Sequence, residues 1–274
     1  MNRNKFLIDG KIAVNRRLIN EHYLMTVVVS DNFPKPLPGQ FIMVRLKGRH
    51  EPFLSRPFSI YQYHHQNDKV FIQILYRVAG KGTRILSELK RGVILEISGL
   101  HGHPFDILPH ASNVILIAGG VGVAPISYLA SHYKDNIHNT DMRLSCYLGA
   151  KSAKQLLGVE TLKMSCSFVE ISTDDGSSGY HGMVTESFAR NVAAYRPDQS
   201  FIYACGPSSM LKRISEILSD HPIPCQVLLE QRMACGFGAC LGCTVEVKGA
   251  EEMKRYVRVC TEGPVFNIHD VVWE

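Results

Sequence analysis

Val114-Ile-Leu-Ile-Ala118-Gly119-Gly120-Val-Gly122-Val-Ala-Pro125 is the stretch that decides the fold. Its first five residues form an unbroken apolar run, as in a strand buried on both faces. The glycines allow a tight turn and close backbone approach, and Pro125 suits the first position of a helix predicted to run to about Tyr133. Strand, glycine turn and helix in this order bring a helix N-terminus up to the phosphates of a dinucleotide. Working downstream, strands are predicted at Arg143-Leu-Ser-Cys-Tyr-Leu148, Phe168-Val-Glu-Ile171 and Ser200-Phe-Ile-Tyr-Ala204, with a helix from about Ser208 to Leu218. Strands alternating with helices predict a Rossmann-like parallel α/β domain over residues 109–224. Cys205-Gly206-Pro207 follows one of those strands and falls on the same carboxyl edge as the glycine turn. The Cys205 thiol there either sits near a nicotinamide or is an inert core cysteine. Two departures from the usual dinucleotide pattern stand out. Pro125 replaces the final glycine, and about twenty residues on, where an acidic residue binds ribose, stands Leu148-Gly-Ala-Lys151. Lys151 and Lys154 could meet a 2′-phosphate or face water, so NAD and NADP both stay open.

Upstream, the composition changes to short runs rich in β-branched and aromatic residues. Met25 to Ser30, Phe41 to Leu46, Val70 to Arg77 and Val93 to Ile97 are separated by turn signals such as Pro34-Lys-Pro-Leu-Pro-Gly39. They predict a small antiparallel β-barrel over residues 1–108, interrupted by a short helix from about Thr83 to Lys90.

The far end, residues 225–274, is rich in cysteine and glycine. Cys235-Gly-Phe-Gly-Ala-Cys240-Leu-Gly-Cys243 has the spacing C-x4-C-x2-C, and Cys260 follows after sixteen residues. That is the plant-type ferredoxin spacing for a [2Fe–2S] cluster. Three ligands must wrap around an object a few ångströms across, and glycines let the backbone turn tightly and aim N–H groups at the sulfurs. A structural zinc site would usually present two separated pairs of cysteines instead. The metal ligands are therefore Cys235, Cys240, Cys243 and Cys260, in a small C-terminal [2Fe–2S] domain. Cys146, Cys166 and Cys225 read as core or incidental.

The remaining composition excludes several classes. A hydrophobic fraction of 45%, a charged fraction of 20% and a net charge of +5 are ordinary for a globular chain, with no basic block to suggest nucleic acid. The longest nearly apolar run, Val114 to Ile126, is broken by glycines and a proline, and a membrane span needs about twenty apolar residues. The start, Met1 to Asp9, lacks the apolar stretch of a signal peptide, which predicts a cytoplasmic location with reduced thiols. Thr173-Asp-Asp-Gly-Ser-Ser-Gly179 lacks the ligand positions of a calcium loop and reads as a loop that could touch nucleotide. His64-His65 reads as a solvated turn.

A nucleotide that exchanges a hydride and a cluster that moves one electron need a converter between them, which a flavin supplies. The barrel is the place left for it. Arg56-Pro57-Phe58-Ser59 offers a guanidinium for a pyrophosphate and a hydroxyl for the ring edge. Leu75-Tyr76-Arg77 offers an aromatic and a second cation, and Gly82-Thr83 offers backbone N–H groups at a helix start.

In this order the motifs resemble the electron-transfer subunit family of NAD-dependent bacterial dihydroorotate dehydrogenase, within the ferredoxin–NADP reductase superfamily. The resemblance covers nearly the whole chain, and the ending Val259-Cys-Thr-Glu-Gly-Pro-Val-Phe266 is especially similar. It implies FAD in the barrel, NAD in the α/β domain and the cluster between FAD and a partner. That partner would be an FMN-containing catalytic subunit that oxidises dihydroorotate, in a heterotetramer serving de novo pyrimidine (UMP) biosynthesis. Electrons would run from FMN through the cluster and FAD to NAD⁺. Two departures are noted: Phe58 stands where superfamily reductases often have tyrosine, and His101 and His103 have no assigned purpose. Related subunits of ferredoxin:NADP oxidoreductases or sulfhydrogenases are an alternative, although an Asp can replace the first ligand there, where this chain has Cys235. A non-enzymatic zinc-binding regulator is the other alternative.

Overall fold

The computed structural model describes residues 6–48, 51, 53–108, 110–136, 141–249 and 253–273. Met1 to Lys5, on which the expectation of no export signal partly rests, lie outside them. Contacts group the chain into two compact units.

The first unit comprises residues 1–104, 230–244 and 258–264. Its strands are β1 (Phe6–Ile19), β2 (His22–Ser30), β3 (Phe41–Leu46), β4 (Arg56–Ser59), β5 (Gln62–Gln66), β6 (Lys69–Arg77) and β7 (Ile94–His101), with one helix, α1 (Lys81–Ser87). They form a single antiparallel sheet in the order β4-β3-β7-β1-β2-β6-β5. Alternation sets its inner face: Met25, Val27 and Val29 of β2 are buried, as are Val70, Ile72 and Ile74 of β6. The sheet curls so that the ring of Phe58 on β4 meets that of Tyr76 on β6, with centroids 5.6 Å apart. Strand β1 is not foreshadowed by the sequence pattern, and His64-His65, expected as a turn, instead lie in strand β5, paired with Phe71 and Val70. Lys11, Asn15, Arg16 and Arg17 break its apolar pattern, and its strand character comes from pairing with β2 and β7 on its two sides.

The second unit comprises residues 105–229, 245–257 and 265–274. It contains β8 (Asn113–Gly119), α2 (Val123–Asn136), β9 (Arg143–Ala150), α3 (Val159–Ser165), β10 (Phe168–Thr173), β11 (Tyr180–His181), α4 (Val184–Asn191), β12 (Ser200–Cys205), α5 (Ser208–Asp220) and β13 (Cys225–Leu228). A two-stranded piece, β14 (Thr244–Lys248) with β15 (Lys254–Arg258), precedes β16 (Val265–Asn267). The main sheet runs β11-β10-β9-β8-β12-β13-β16 and is parallel except for β16, which joins β13 antiparallel. Helices cover both faces. Ile115, Ile117, Ile202 and Ala204 pack with Phe188 of α4 and with Leu211 and Ile214 of α5. Tyr203, on the opposite face of β12, hydrogen-bonds through its hydroxyl to that of Tyr133 on α2, 2.8 Å away.

The chain leaves β8 towards β9 on one side and returns on the other with β12. The reversal of strand order therefore lies at the carboxyl ends of β8 and β12, where open α/β sheets bind their ligands. Contacts distribute residues 225–274, expected as one separate module, over both units. β13 and β16 extend the α/β sheet, whereas the cysteine loop lies among the first unit's strands. There the His103 N–H donates to the Gly263 carbonyl at 2.7 Å.

Candidate cofactor and nucleotide sites

The four cysteines all belong to the first unit. Cys240 is exposed, Cys235 half-buried, and Cys243 and Cys260 are buried. Gly236 and Gly238 have φ of +77° and +90°, the left-handed region that lets the loop double back between its cysteines. The Val259 N–H donates to the Cys243 carbonyl at 3.0 Å, which carries the isolated Cys260 to the other three.

The four thiols are close enough to influence one another, Cys235 with Cys240 and Cys260 with both Cys243 and Cys235. Burial raises the Cys235 thiol, but N–H groups of Phe237, Cys240 and Ala239, together with the Cys240 side chain, outweigh it and lower it to about 6. Burial, then the hydrogen-bonded Cys243 thiol, pushes Cys260 up to about 12. Among the described residues no three His, Cys, Asp or Glu side chains gather closely enough to hold one metal ion. Four cysteines in one unit, three of them on a single glycine-rich loop, fit a [2Fe–2S] cluster better than the two separated cysteine pairs usual for structural zinc.

The barrel motifs are also brought together. Arg56 lies over the start of α1, where a Cβ on Gly82 would sit 2.5 Å from its Nε and 2.6 Å from its Nη2. Glycine is the residue that leaves room for this guanidinium. Arg56 Nη1 donates to the Leu54 carbonyl at 2.7 Å, which fixes the fork. The Thr83 hydroxyl is engaged locally, accepting from the Ala79 and Gly80 N–H groups at 2.9 and 3.2 Å. Ser59 and Pro57 are half-buried on β4, in register with Phe41 and Met43. Leu75 and Tyr76 are buried, and the Tyr76 hydroxyl donates to Asn15 Oδ1 at 3.1 Å. Asn15, which belongs to no sequence motif, also donates to the Leu86 and Leu89 carbonyls at 2.8 and 2.9 Å and so ties β1 and Tyr76 to α1. Arg77 shares its guanidinium with exposed Glu21, at 3.2 Å. His101 is buried against Phe41, with its Nε2 2.9 Å from Ser98 Oγ.

In the second unit the two edge loops touch. A Cβ on Gly122 would lie 2.3 Å from the Cys205 carbonyl oxygen and 2.7 Å from the Gly206 nitrogen, so only glycine fits. One on Gly119 would lie 3.2 Å from Pro207 Cδ, and Gly120 has φ +55°. Pro125 is the third residue of α2 rather than the first, because a 3-10 turn over Gly120–Gly122 leads straight into the helix at Val123. It remains within the first turn, where the N–H that proline lacks has no helical partner. Cys205 is fully buried. The Thr173–Gly179 loop closes on itself through Thr173 Oγ1 and Ser178 O, 2.8 Å apart, and the Ala153 N–H donates to Ser177 Oγ at 2.7 Å.

Residues 230–272 match the family model described as the iron–sulfur cluster binding domain of dihydroorotate dehydrogenase B, and residues 116–216 match the oxidoreductase NAD-binding domain. The dihydroorotate dehydrogenase B (NAD(+)) electron transfer subunit of Caldanaerobacter subterraneus subsp. tengcongensis is 37% identical, over 98% of this chain and 100% of its own. That of Desulforamulus reducens is 35% identical over 98% and 99%. Among solved structures, an NADH-dependent reduced ferredoxin-NADP oxidoreductase superposes with a TM-score of 0.83 at 26% identity, over 96% of this chain and 90% of that one. The ferredoxin reductase of carbazole 1,9a-dioxygenase, at 18% identity and a TM-score of 0.67 over 81% and 68%, shares the fold. A full-length likeness at 37% identity, with both domain descriptions falling on the motifs above, places this chain in the family of dihydroorotate dehydrogenase B (NAD(+)) electron transfer subunits.

Proposed function

We propose that this chain accepts electrons from an FMN-bearing catalytic subunit that oxidises dihydroorotate, and delivers them to NAD⁺, a step of de novo pyrimidine biosynthesis. The observation that carries this is the gathering of all four cysteines in the same compact unit as the Arg56–Ser59 strand, in a chain 37% identical to such a subunit along its whole length. When bound, a [2Fe–2S] cluster supplies one-electron transfer and FAD supplies exchange between single electrons and a hydride.

The residues divide the work. Cys235, Cys240, Cys243 and Cys260 would hold the cluster, and the N–H groups of Phe237, Ala239 and Cys240 favour the charged form of Cys235. Arg56, held over Gly82, would take the FAD pyrophosphate with a planar fork. Pro57, Phe58, Ser59, Leu75 and Tyr76 would line the flavin, with Thr83 contributing through its backbone. Arg77 would add a weaker cation because Glu21 shares it. Gly119, Gly120, Gly122 and Pro125 would receive the NAD pyrophosphate at the start of α2, with Cys205, Gly206 and Pro207 closing the adjoining edge. The working assembly is a cytoplasmic heterotetramer with the catalytic subunit. No helix among the described residues is long and apolar enough to cross a membrane.

The test is reconstitution with the FMN-bearing subunit and an assay for dihydroorotate-dependent NAD⁺ reduction. A pair that carries FMN, FAD and iron–sulfur yet gives no such turnover would end the proposal. Metal analysis separates it from a zinc regulator: iron and acid-labile sulfide are expected in equal amounts, and stoichiometric zinc would contradict them.

A further inference from the structure

One side chain outside the cysteine pattern closes the four-thiol site. Arg258 stands two residues before Cys260, and its guanidinium reaches in two directions. Nε and Nη2 donate to the two carboxylate oxygens of Glu262 at 3.1 and 2.7 Å, while Nη1 donates to the Gly238 carbonyl at 3.0 Å. The backbone beneath is a tight turn around Cys260. The N–H groups of Thr261 and Glu262 donate to the Arg258 carbonyl at 3.1 and 2.9 Å, and the Arg258 N–H returns to the Glu262 carboxylate at 2.9 Å. Gly238 lies between Cys235 and Cys240, and a Cβ there would come within 2.8 Å of Thr261 Cγ2. Arg258 therefore ties the segment bearing Cys260 to the loop bearing the other three cysteines. Its charge also interacts with Cys260 and Cys243.

The Arg258 and Glu262 side chains are 36% and 41% exposed, and an ion pair in that setting adds little stability by itself. Its location has a different consequence. One-electron reduction of a cluster adds negative charge without forming a bond or moving a proton, so a fixed cation nearby favours the reduced state and a fixed anion opposes it.

Resting on the cluster assignment above, we propose that Arg258 is a positioning residue of the cluster site that also raises the cluster's reduction potential, with Glu262 as its counterweight. A redox titration of the cluster, followed by visible absorption and EPR in the intact flavoprotein, tests this on Arg258→Gln, Arg258→Lys and Glu262→Gln. Arg258→Gln is expected to weaken one-electron reduction about tenfold, ~59 mV for a one-electron couple. Glu262→Gln is expected to move the potential upward. Arg258→Lys should keep the potential near that of the unaltered protein but lose the cluster faster to a chelator, since an ammonium cannot hold three acceptors in a planar fork. Shifts of the same sign in the two Gln variants, or none in either, would overturn the proposal. Should Arg258→Gln take up no cluster, Glu262→Gln decides, and an unchanged or lowered potential there overturns it. An unaltered protein without iron–sulfur absorption would instead remove the cluster assignment on which the role rests.

Discussion

Two glycine-rich loops look alike in the sequence and are held in place by different means. Around Gly119–Gly122 the constraint is a neighbour: Gly122 lies against the backbone of Cys205 and Gly206, and helix α2 packs behind it. Gly119 and Gly122 are held by these neighbours, while Gly120 is exposed with open space beside it. Between Cys235 and Cys243 the neighbours are side chains rather than backbone: Gly236 and Gly238, both at positive φ, lie against Met43 and Thr261, and Cys240 and Leu241 are exposed. Few fixed anchors hold that loop, among them the Val259–Cys243 and Arg258–Gly238 hydrogen bonds. A site of that kind draws much of its order from what its ligands bind. On the proposed function, the Gly119–Gly122 loop is set mainly by backbone packing, whereas the cysteine loop would be completed by the cluster it holds.

The sharpest way to break this contrast is Cys240→Ser. It is expected to abolish the iron–sulfur absorption while FAD and NADH binding persist, and loss of the flavin as well would show that the two sites in the first unit are not independent. Gly122→Ala probes the other loop. A methyl group 2.3 Å from the Cys205 oxygen forces the backbone apart, at a cost of about 1–3 kcal/mol in stability. Urea unfolding measures this, and an unshifted midpoint would mean the edge loops are less tightly joined than the geometry indicates.

Arg56→Ala should weaken FAD retention by roughly 10–100-fold, the loss of one or two charge-assisted hydrogen bonds. Arg77→Gln, whose guanidinium is already shared with Glu21, should change it by about twofold at most, as expected for an exposed pair. Fluorescence of released FAD compares the two, and equal losses would show that both arginines grip the cofactor alike. In cluster-free protein, Cys235 should alkylate with a rate that rises through about pH 6 and levels off above it, because its thiolate is stabilised in the folded loop. A rate still climbing at pH 8–9 would show that the loop N–H groups are not aimed at that sulfur.

The sequence showed some parts of this architecture clearly for a physical reason. Strand β8 and helix α2 carry long apolar patterns, and the cysteine spacing reflects the size of the object it wraps. Strand β1 was hidden because Asp9, Lys11, Asn15, Arg16 and Arg17 interrupt its apolar residues and its strand character comes from two neighbours, β2 and β7. Asn15 and Arg258 were missed for a related reason. Neither belongs to a motif, and each becomes informative only when folding brings it to a carbonyl 71 or 20 residues away. The shared ownership of residues 225–274 was equally invisible, since β16 enters the α/β sheet only after Cys260 has joined the barrel unit.

The central claim is that iron held by the four cysteines is required for electrons to enter from the catalytic subunit, but not for exchange between NADH and the flavin. Two activities of the Cys240→Ser protein, assembled with its FMN-bearing partner, test it together. Dihydroorotate-dependent NAD⁺ reduction should vanish while NADH-to-dye electron transfer continues at close to the unaltered rate; if both survive, or both disappear with FAD still bound, the account is contradicted.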